Sequence, residues 1–327
     1  MQQGVMKTRV LGIDISVEET TYAIIDIRGN ILAKRSFCTS DYPDVNQYVT
    51  VLSQKIVEII EDNNCFESVR SIGISTPSGN PLTGCIENSP NLPWKGVIPL
   101  AAMLRDRLGL AVALSNDSHA VALGEQTFGC AHGMKNFIIV TIGNGLGCTI
   151  FSNKKMHVGQ NGFAGEFGHT CVAEGGRPCG CGLNGCLERY VSGKGIVVTA
   201  KEMMEATDKP TLMRDFGDKL NAKDICDCCD KGDEMAIEVY RQTGHILGRS
   251  LATLAAIFDP EAIIIAGGVS KAGKWLGDPT QESFDSHIFK NIRGKVKLIL
   301  STMSDRERDI LGASVIAWEV QEYSLFK

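Results

Sequence analysis

The chain has 327 residues, 43% hydrophobic and 22% charged, with 33 Lys and Arg against 38 Asp and Glu for a net charge of -5. Such a length is too great for one core and predicts two domains of roughly 150 residues each, while the acidic balance excludes nucleic acid as a partner. The longest apolar run, Ala262 to Ala266, falls far short of the ~20 residues of a spanning helix, and residues 1–9 lack a secretory leader, so a cytoplasmic protein with no membrane partner is expected.

The elements follow in order. Val10 to Ile13, Thr21 to Asp26 and Ile31 to Arg35 read as three strands with short turns, and 46–63 as a helix with Val49, Leu52, Ile56, Val57 and Ile60 on one face. A strand over Val69 to Ile74 leads into 77–93, which reads as a loop rich in Pro, Gly and Asn. A helix over Leu100 to Leu108, a strand over Ala111 to Leu114 and a helix over 118–129 close the first half.

At Phe137 to Ile142 and Cys148 to Ser152 the opening pattern returns, displaced by about 127 residues. An internal duplication is the simplest account, and it predicts two α/β halves with ligands bound at the carboxyl ends of their strands, in the cleft between them. A loop-rich insert over 158–189, helices over 193–206 and 233–258, a buried strand over Ala262 to Ala266, a strand over 295–301 and a last helix over 309–322 complete the reading. The domain boundaries expected are 1–120 plus 308–327, and 121–307.

Twelve cysteines are many for a reducing compartment, and most are scattered singly, as buried thiols are. Cys179, Cys181 and Cys186 lie together among glycines, ten residues and more after His169. One imidazole and three thiolates complete a tetrahedral shell with no open position, which predicts a structural zinc; the alternative is three reduced thiols in a glycine-rich loop. Cys226, Cys228 and Cys229 have no nearby His and are read as lying at a helix edge without a joint role.

Gly143-Asn144-Gly145 follows a strand directly, where backbone N–H groups can approach phosphate oxygens and Asn144 or Thr141 can add side-chain donors. Gly267-Gly268, after the strand at 262–266, suits a base or ribose lying on backbone. Neither is a Walker loop or a Rossmann fingerprint. Asp117, at the end of a strand and the start of a helix, is either a simple N-cap or a carboxylate that takes a proton from a substrate hydroxyl. Asn91, Glu166, His169 and Glu188 are side chains suited to sugar hydroxyls, each of which offers a donor and an acceptor.

Taken together, Ser89-Pro-Asn-Leu-Pro-Trp94, Asn116-Asp117, the run Phe163 to His169, the run Cys179 to Glu188 and Ile264 to Gly268 resemble the ROK family of sugar kinases and sugar-responsive repressors, the glucokinase-like branch most closely. The resemblance implies the duplicated actin-like ATPase (ribonuclease H-like) fold, ATP with Mg²⁺, a hexose such as glucose as acceptor, and a homodimer. It further implies Asp117 as general base, Asn91, Asn116, Glu166, His169 and Glu188 on the sugar, His169 shared with zinc, and Asp14 with the glycine loops on the nucleotide. Thirteen residues precede Asp14, too few for the DNA-binding module of the family's repressors.

One segment departs from the family pattern. Where the kinases open with Asp-Ile-Gly-Gly-Thr, this chain has Asp14-Ile-Ser-Val-Glu18. Val17 resists unusual backbone angles, and a carboxylate ~5 Å from a phosphoryl oxygen would repel it by ~3 kcal/mol at an effective dielectric near 20. Thr20 or Thr21, or a shifted Mg²⁺, stand next in line to replace the lost donors. Two functions therefore remain open: an ATP-dependent hexose kinase, or a sugar-binding relative that no longer turns over.

Overall fold

The computed structural model describes residues 7–320 except Asn91 and Ser304, and divides into two compact units. The first comprises 1–132, 160–163 and 303–327, the second 133–159 and 164–302.

In the first unit β1 (Arg9–Ile15), β2 (Glu19–Asp26) and β3 (Ile31–Cys38) form an antiparallel meander. Helix α1 (Val45–Asp62) starts where the Asp44 carboxylate accepts the Gln47 backbone N–H at 2.8 Å. Its buried stripe, Tyr48, Val49, Leu52, Ile56, Ile59 and Ile60, covers one face of the sheet; burying each such side chain stabilises by roughly 1.5–3 kcal/mol. Strand β4 (Val69–Thr76) runs parallel to β1. The segment after it, read from sequence as loop, instead holds a small antiparallel sheet of β5 (Gly79–Asn80), β6 (Cys85–Glu87) and β7 (Val97–Ile98). Strands of two or three residues lie below the length at which periodicity can show. Then come α2 (Leu100–Leu108), β8 (Ala111–Asn116), which pairs parallel with β4, and α3 (Asp117–Phe128). The main sheet has the order β3-β2-β1-β4-β8.

The second unit repeats the plan with β9 (Phe137–Ile142), β10 (Leu146–Ser152) and β11 (Lys155–His157). After the insert come α4 (Glu188–Val191), α5 (Gly193–Glu205), α6 (Ala222–Asp230), α7 (Glu234–Phe258), β12 (Ala262–Ala266), α8 (Lys274–His287) and β13 (Lys297–Leu300). Its sheet order, β11-β10-β9-β12-β13, matches the first strand for strand, with three antiparallel strands followed by two parallel ones. The duplication inferred from the returning strand pattern is thus present in topology, and it is the actin-like ATPase plan. Helix α9 (Asp305–Glu319) returns to the first unit, where Ile310 and Ala317 pack with Val10, Ala23 and Ile25. Among the described residues no helix is long and apolar enough to cross a membrane.

Candidate active site

Strand β8 ends in Asn116, and Asp117 opens the helix that follows. Asn116 caps α3, its Oδ1 accepting the Ser118 N–H at 2.9 Å and the Ser118 hydroxyl at 2.6 Å. The same N–H reaches Asp117 Oδ1 at 2.7 Å. The capping is therefore done by Asn116, and Asp117 keeps its second oxygen out of that motif. Asp117 is open at the surface, yet the protein gathered around it still raises its pKa; the Ser118 N–H acts in the opposite direction. Two residues on, His119 is buried and its Nδ1 lies 2.9 Å from Ser115 Oγ, and burial depresses it to about 4, so it is neutral.

Asp14 lies next to the end of β1, opposite Ser75 of β4. Its pKa rises to about 7, chiefly through burial and then through the Asp309 carboxylate, with Asp117 adding a smaller push and Ser75 and Lys34 a partial offset. Ser75 Oγ is itself buried without a well-aligned hydrogen bond, so its help to Asp14 is weak. Asp14 also borders a cavity of about 450 Å³ lined by Glu19, Thr21, Lys34, Ser36 and Asp309, among others.

The altered segment between β1 and β2 is a tight hairpin. Ser16 N–H donates to the Glu19 carbonyl at 2.9 Å, and Glu19 N–H donates to Ser16 Oγ at 3.0 Å. Val17 and Glu18 sit at the exposed tip, neither with positive φ. Two of the loop's amides are thus consumed internally. Thr20, one of the two hydroxyls proposed as substitutes, is fully buried, 2.8 Å from both Thr39 Oγ1 and Tyr48 Oη. It is a core hydroxyl, because the β1–β2 register turns it to the α1 face; Thr21, on the Asp14 side, is the one that borders the cavity.

In the second unit, Asn144 and Gly143 lie where β9 turns into β10, and Gly267 and Gly268 lie where the adjacent β12 ends. Gly267 has φ +94°, and a Cβ there would stand 2.5 Å from the Ile142 carbonyl, so the two strand ends meet through backbone alone. Gly143, Asn144 and Gly268 line one cavity of about 770 Å³. Thr141, Gly145 and Gly267 are not among its lining residues. Sequence reading missed the rest of the wall: Lys194 at the start of α5, Lys271 after β12, Tyr240, and Asn221, Lys223, Cys226, Asp227 and Asp230 at or on α6. Helix α6 carries no long apolar stripe, although Asn221 and Asp224 form a capping box that would have revealed its start. Cys226, Cys228 and Cys229 lie within this helix, not at its edge, with Cys228 and Cys229 in the core.

Glu188 opens α4 and accepts the Leu146 N–H at 2.9 Å, which fastens the glycine turn of β9–β10 to the insert. Glu166 and His169 lie together, Oε2 to Nε2 3.8 Å. The imidazole's other side faces thiols: Nδ1 is 3.6 Å from Cys179 Sγ, and Cys181 Sγ is 3.7 Å from Cys186 Sγ. All four ligand atoms lie within 4.8 Å of one another. Tetrahedral Zn–S bonds of about 2.3 Å place sulfurs roughly 3.8 Å apart, so the group fits that ion. The loop closes because Cys179 N–H donates to Leu183 O at 2.8 Å and because Gly185, at φ +75°, leaves no Cβ to strike the Ala173 carbonyl. Arg177 locks the insert to the helices behind it, donating to Arg189 O at 2.8 Å and Glu202 Oε1 at 3.1 Å while stacking on Tyr190. Asn91 lies outside the described residues.

A paired set of duplicated sheets, each ending in polar loops, with a His-Cys₃ group in the second, defines the class, and residues 10–320 match the model of the ROK family. The chain belongs to that family. It is 31% identical to a glucokinase of Halalkalibacterium halodurans, over 97% of both chains. Among solved structures it is similar to a ROK family glucokinase from Streptomyces griseus in complex with glucose and AMPPNP, with a TM-score of 0.79, 30% identity and coverage of 95% of this chain and 100% of that one. It is also similar to a ROK family transcriptional regulator, with a TM-score of 0.85, 26% identity and coverage of 94% and 77%.

Proposed function

We propose that the protein is an ATP-dependent hexose kinase, with glucose as the first acceptor to test. The observation that carries this is Asp117: a surface-open carboxylate with a raised pKa, held by the helix start but not consumed as its cap. A carboxylate so placed can take the proton of a sugar hydroxyl as that oxygen attacks the γ-phosphate. Asn116, Glu166, His169 and Glu188, with Asn91, are assigned to the sugar hydroxyls. Gly143, Asn144 and Gly268 are assigned to the nucleotide, together with Thr141, Gly145 and Gly267 behind them. Asp14 is assigned to Mg²⁺, whose charge would overcome the burial and repulsion that keep its proton on. The glucokinase relatives, one of them solved with glucose and a nucleotide analogue, support the same reading.

We assign zinc to His169, Cys179, Cys181 and Cys186 as a structural ion. Bound there it would hold the insert's shape, with His169 Nε2 presented toward Glu166.

A second reading is favoured by the Ser16–Glu19 hairpin, which spends its amides on itself and displays Glu18: a sugar-binding relative without turnover. A coupled assay for ADP release with Mg²⁺-ATP and a hexose panel separates the two. Turnover well above an Asp117→Asn control establishes the kinase; sugar binding by calorimetry with no ADP release establishes the second reading.

A further inference from the structure

The 770 Å³ cavity of the second unit is lined by the lysines Lys194, Lys223 and Lys271 and by two carboxylates, Asp227 and Asp230. The Asn144 amide and the Lys194 ammonium are suited to anionic oxygens, whereas the Gly193 and Gly143 N–H groups are spent on the Gly143 and Gly145 carbonyls at 2.8 and 3.0 Å. Helix α6 starts beside the Gly143-Asn144 turn, where a Cβ built at Gly193 would lie 3.8 Å from Ala222 Cβ, and it runs away from that turn to Asp230, about 12 Å along the helix axis. Asp227 is engaged by Lys223 at 3.3 Å on the same helix. Asp230 is held differently: Trp275 Nε1–H donates to its Oδ1 at 2.7 Å, and Trp275 is itself stacked under the Lys274 ammonium. The helix beneath is braced by its capping box and by the Tyr240 hydroxyl, which donates to the Ala222 carbonyl at 2.8 Å. A fixed carboxylate at the end away from the anion-binding turn accepts hydrogen bonds and repels carbonyl oxygens.

We propose that Asp230 reads the donor edge of the nucleobase, so that the cavity selects a base carrying an exocyclic amine, as adenine does. This rests on the nucleotide reading of the cavity given above. The ligand lies with its phosphates toward Asn144 and Lys194 and its ring at the Asp230 end of α6. Asp230 receives the 6-amino N–H on the oxygen that Trp275 leaves open, and Trp275 is a positioning residue that fixes the carboxylate's rotamer.

Calorimetry with Mg²⁺ tests this on the full chain, using ATP, purine riboside triphosphate (ATP without its 6-amine) and tripolyphosphate. A hydrogen bond to a charged group predicts that ATP binds about tenfold or more tightly than purine riboside triphosphate. Asp230→Ala should bring that ratio below about threefold by weakening ATP alone, and Trp275→Phe, which keeps an aromatic ring but loses the N–H, should narrow it in the same direction. Equal binding of the two nucleotides by the wild-type chain, or a ratio unmoved by Asp230→Ala, overturns the proposal and leaves the kinase reading standing. No binding of ATP by a chain that still binds hexose overturns both.

Discussion

Asp14 offers the sharpest test of the electrostatics at the first unit's strand ends. Its pKa of about 7, against an ordinary 3.8, means that the folded chain holds the proton far more tightly than the unfolded one. The stabilising contribution is fully present below pH ~4 and is lost as pH rises through about 7; above that, the ionised carboxylate burdens the fold. At 1.36 kcal/mol per tenfold change in proton affinity the full effect is about 4 kcal/mol, and partial solvent access at Asp14 brings it toward about 2. Asp14→Asn cannot ionise, so the variant should gain roughly 2–4 kcal/mol over the wild type at pH 8 relative to pH 4. Urea unfolding followed by tryptophan fluorescence in a Trp275→Phe background reports on the first unit, where the remaining Trp94 and Trp318 lie. Saturating Mg²⁺ should recover part of the wild type's loss at pH 8 and leave Asp14→Asn unchanged. A stability difference between the two proteins that stays flat within about 0.5 kcal/mol from pH 4 to pH 8 would refute the assignment of burial and carboxylate repulsion to Asp14.

Replacing Ser16-Val17-Glu18 by Gly-Gly-Thr removes the Ser16 hydroxyl that holds the Glu19 N–H, loosens the backbone of the turn and removes the exposed carboxylate, so kcat should rise at least tenfold while hexose affinity stays within about twofold; an unchanged kcat would clear the loop of any part in turnover. Metal analysis should find about one zinc per chain, and Cys181→Ser should lower that content and expose the insert around Arg177 to proteolysis, whereas full zinc in the variant would remove Cys181 from the ligand set. Tyr48→Phe deletes one of the two partners of the Thr20 hydroxyl and should cost about 1 kcal/mol in urea unfolding with no change in turnover. A large fall in kcat there would mean that Thr20 serves the phosphate after all.

Strong local patterns made much of the fold legible. The helix Leu100–Leu108 and the strand Ala262–Ala266 are found at the residues expected, since an amphipathic stripe and a fully buried apolar run each declare themselves locally. The duplication was readable for the same reason: two copies of a strand-turn-strand pattern need no tertiary knowledge to compare. The His169, Cys179, Cys181 and Cys186 group was also visible, because metal ligation demands particular residue types within a short loop.

Tertiary structure alone decided the rest. Thr20 and Thr21 are neighbours of equal chemistry, and only the pairing of β1 with β2 sends one into the core and the other to the cavity beside Asp14. The pKa of Asp14 depends on Asp309, almost three hundred residues away and brought close by α9. The wall of the larger cavity is assembled from α5, α6, α7 and the end of β12, whose polar side chains carry no shared sequence pattern. Propensity and periodicity act between residues a few positions apart, so they determine elements and short ligand loops. Burial, charge proximity and cavity shape arise between residues distant in the chain, and therefore only the packed fold determines them.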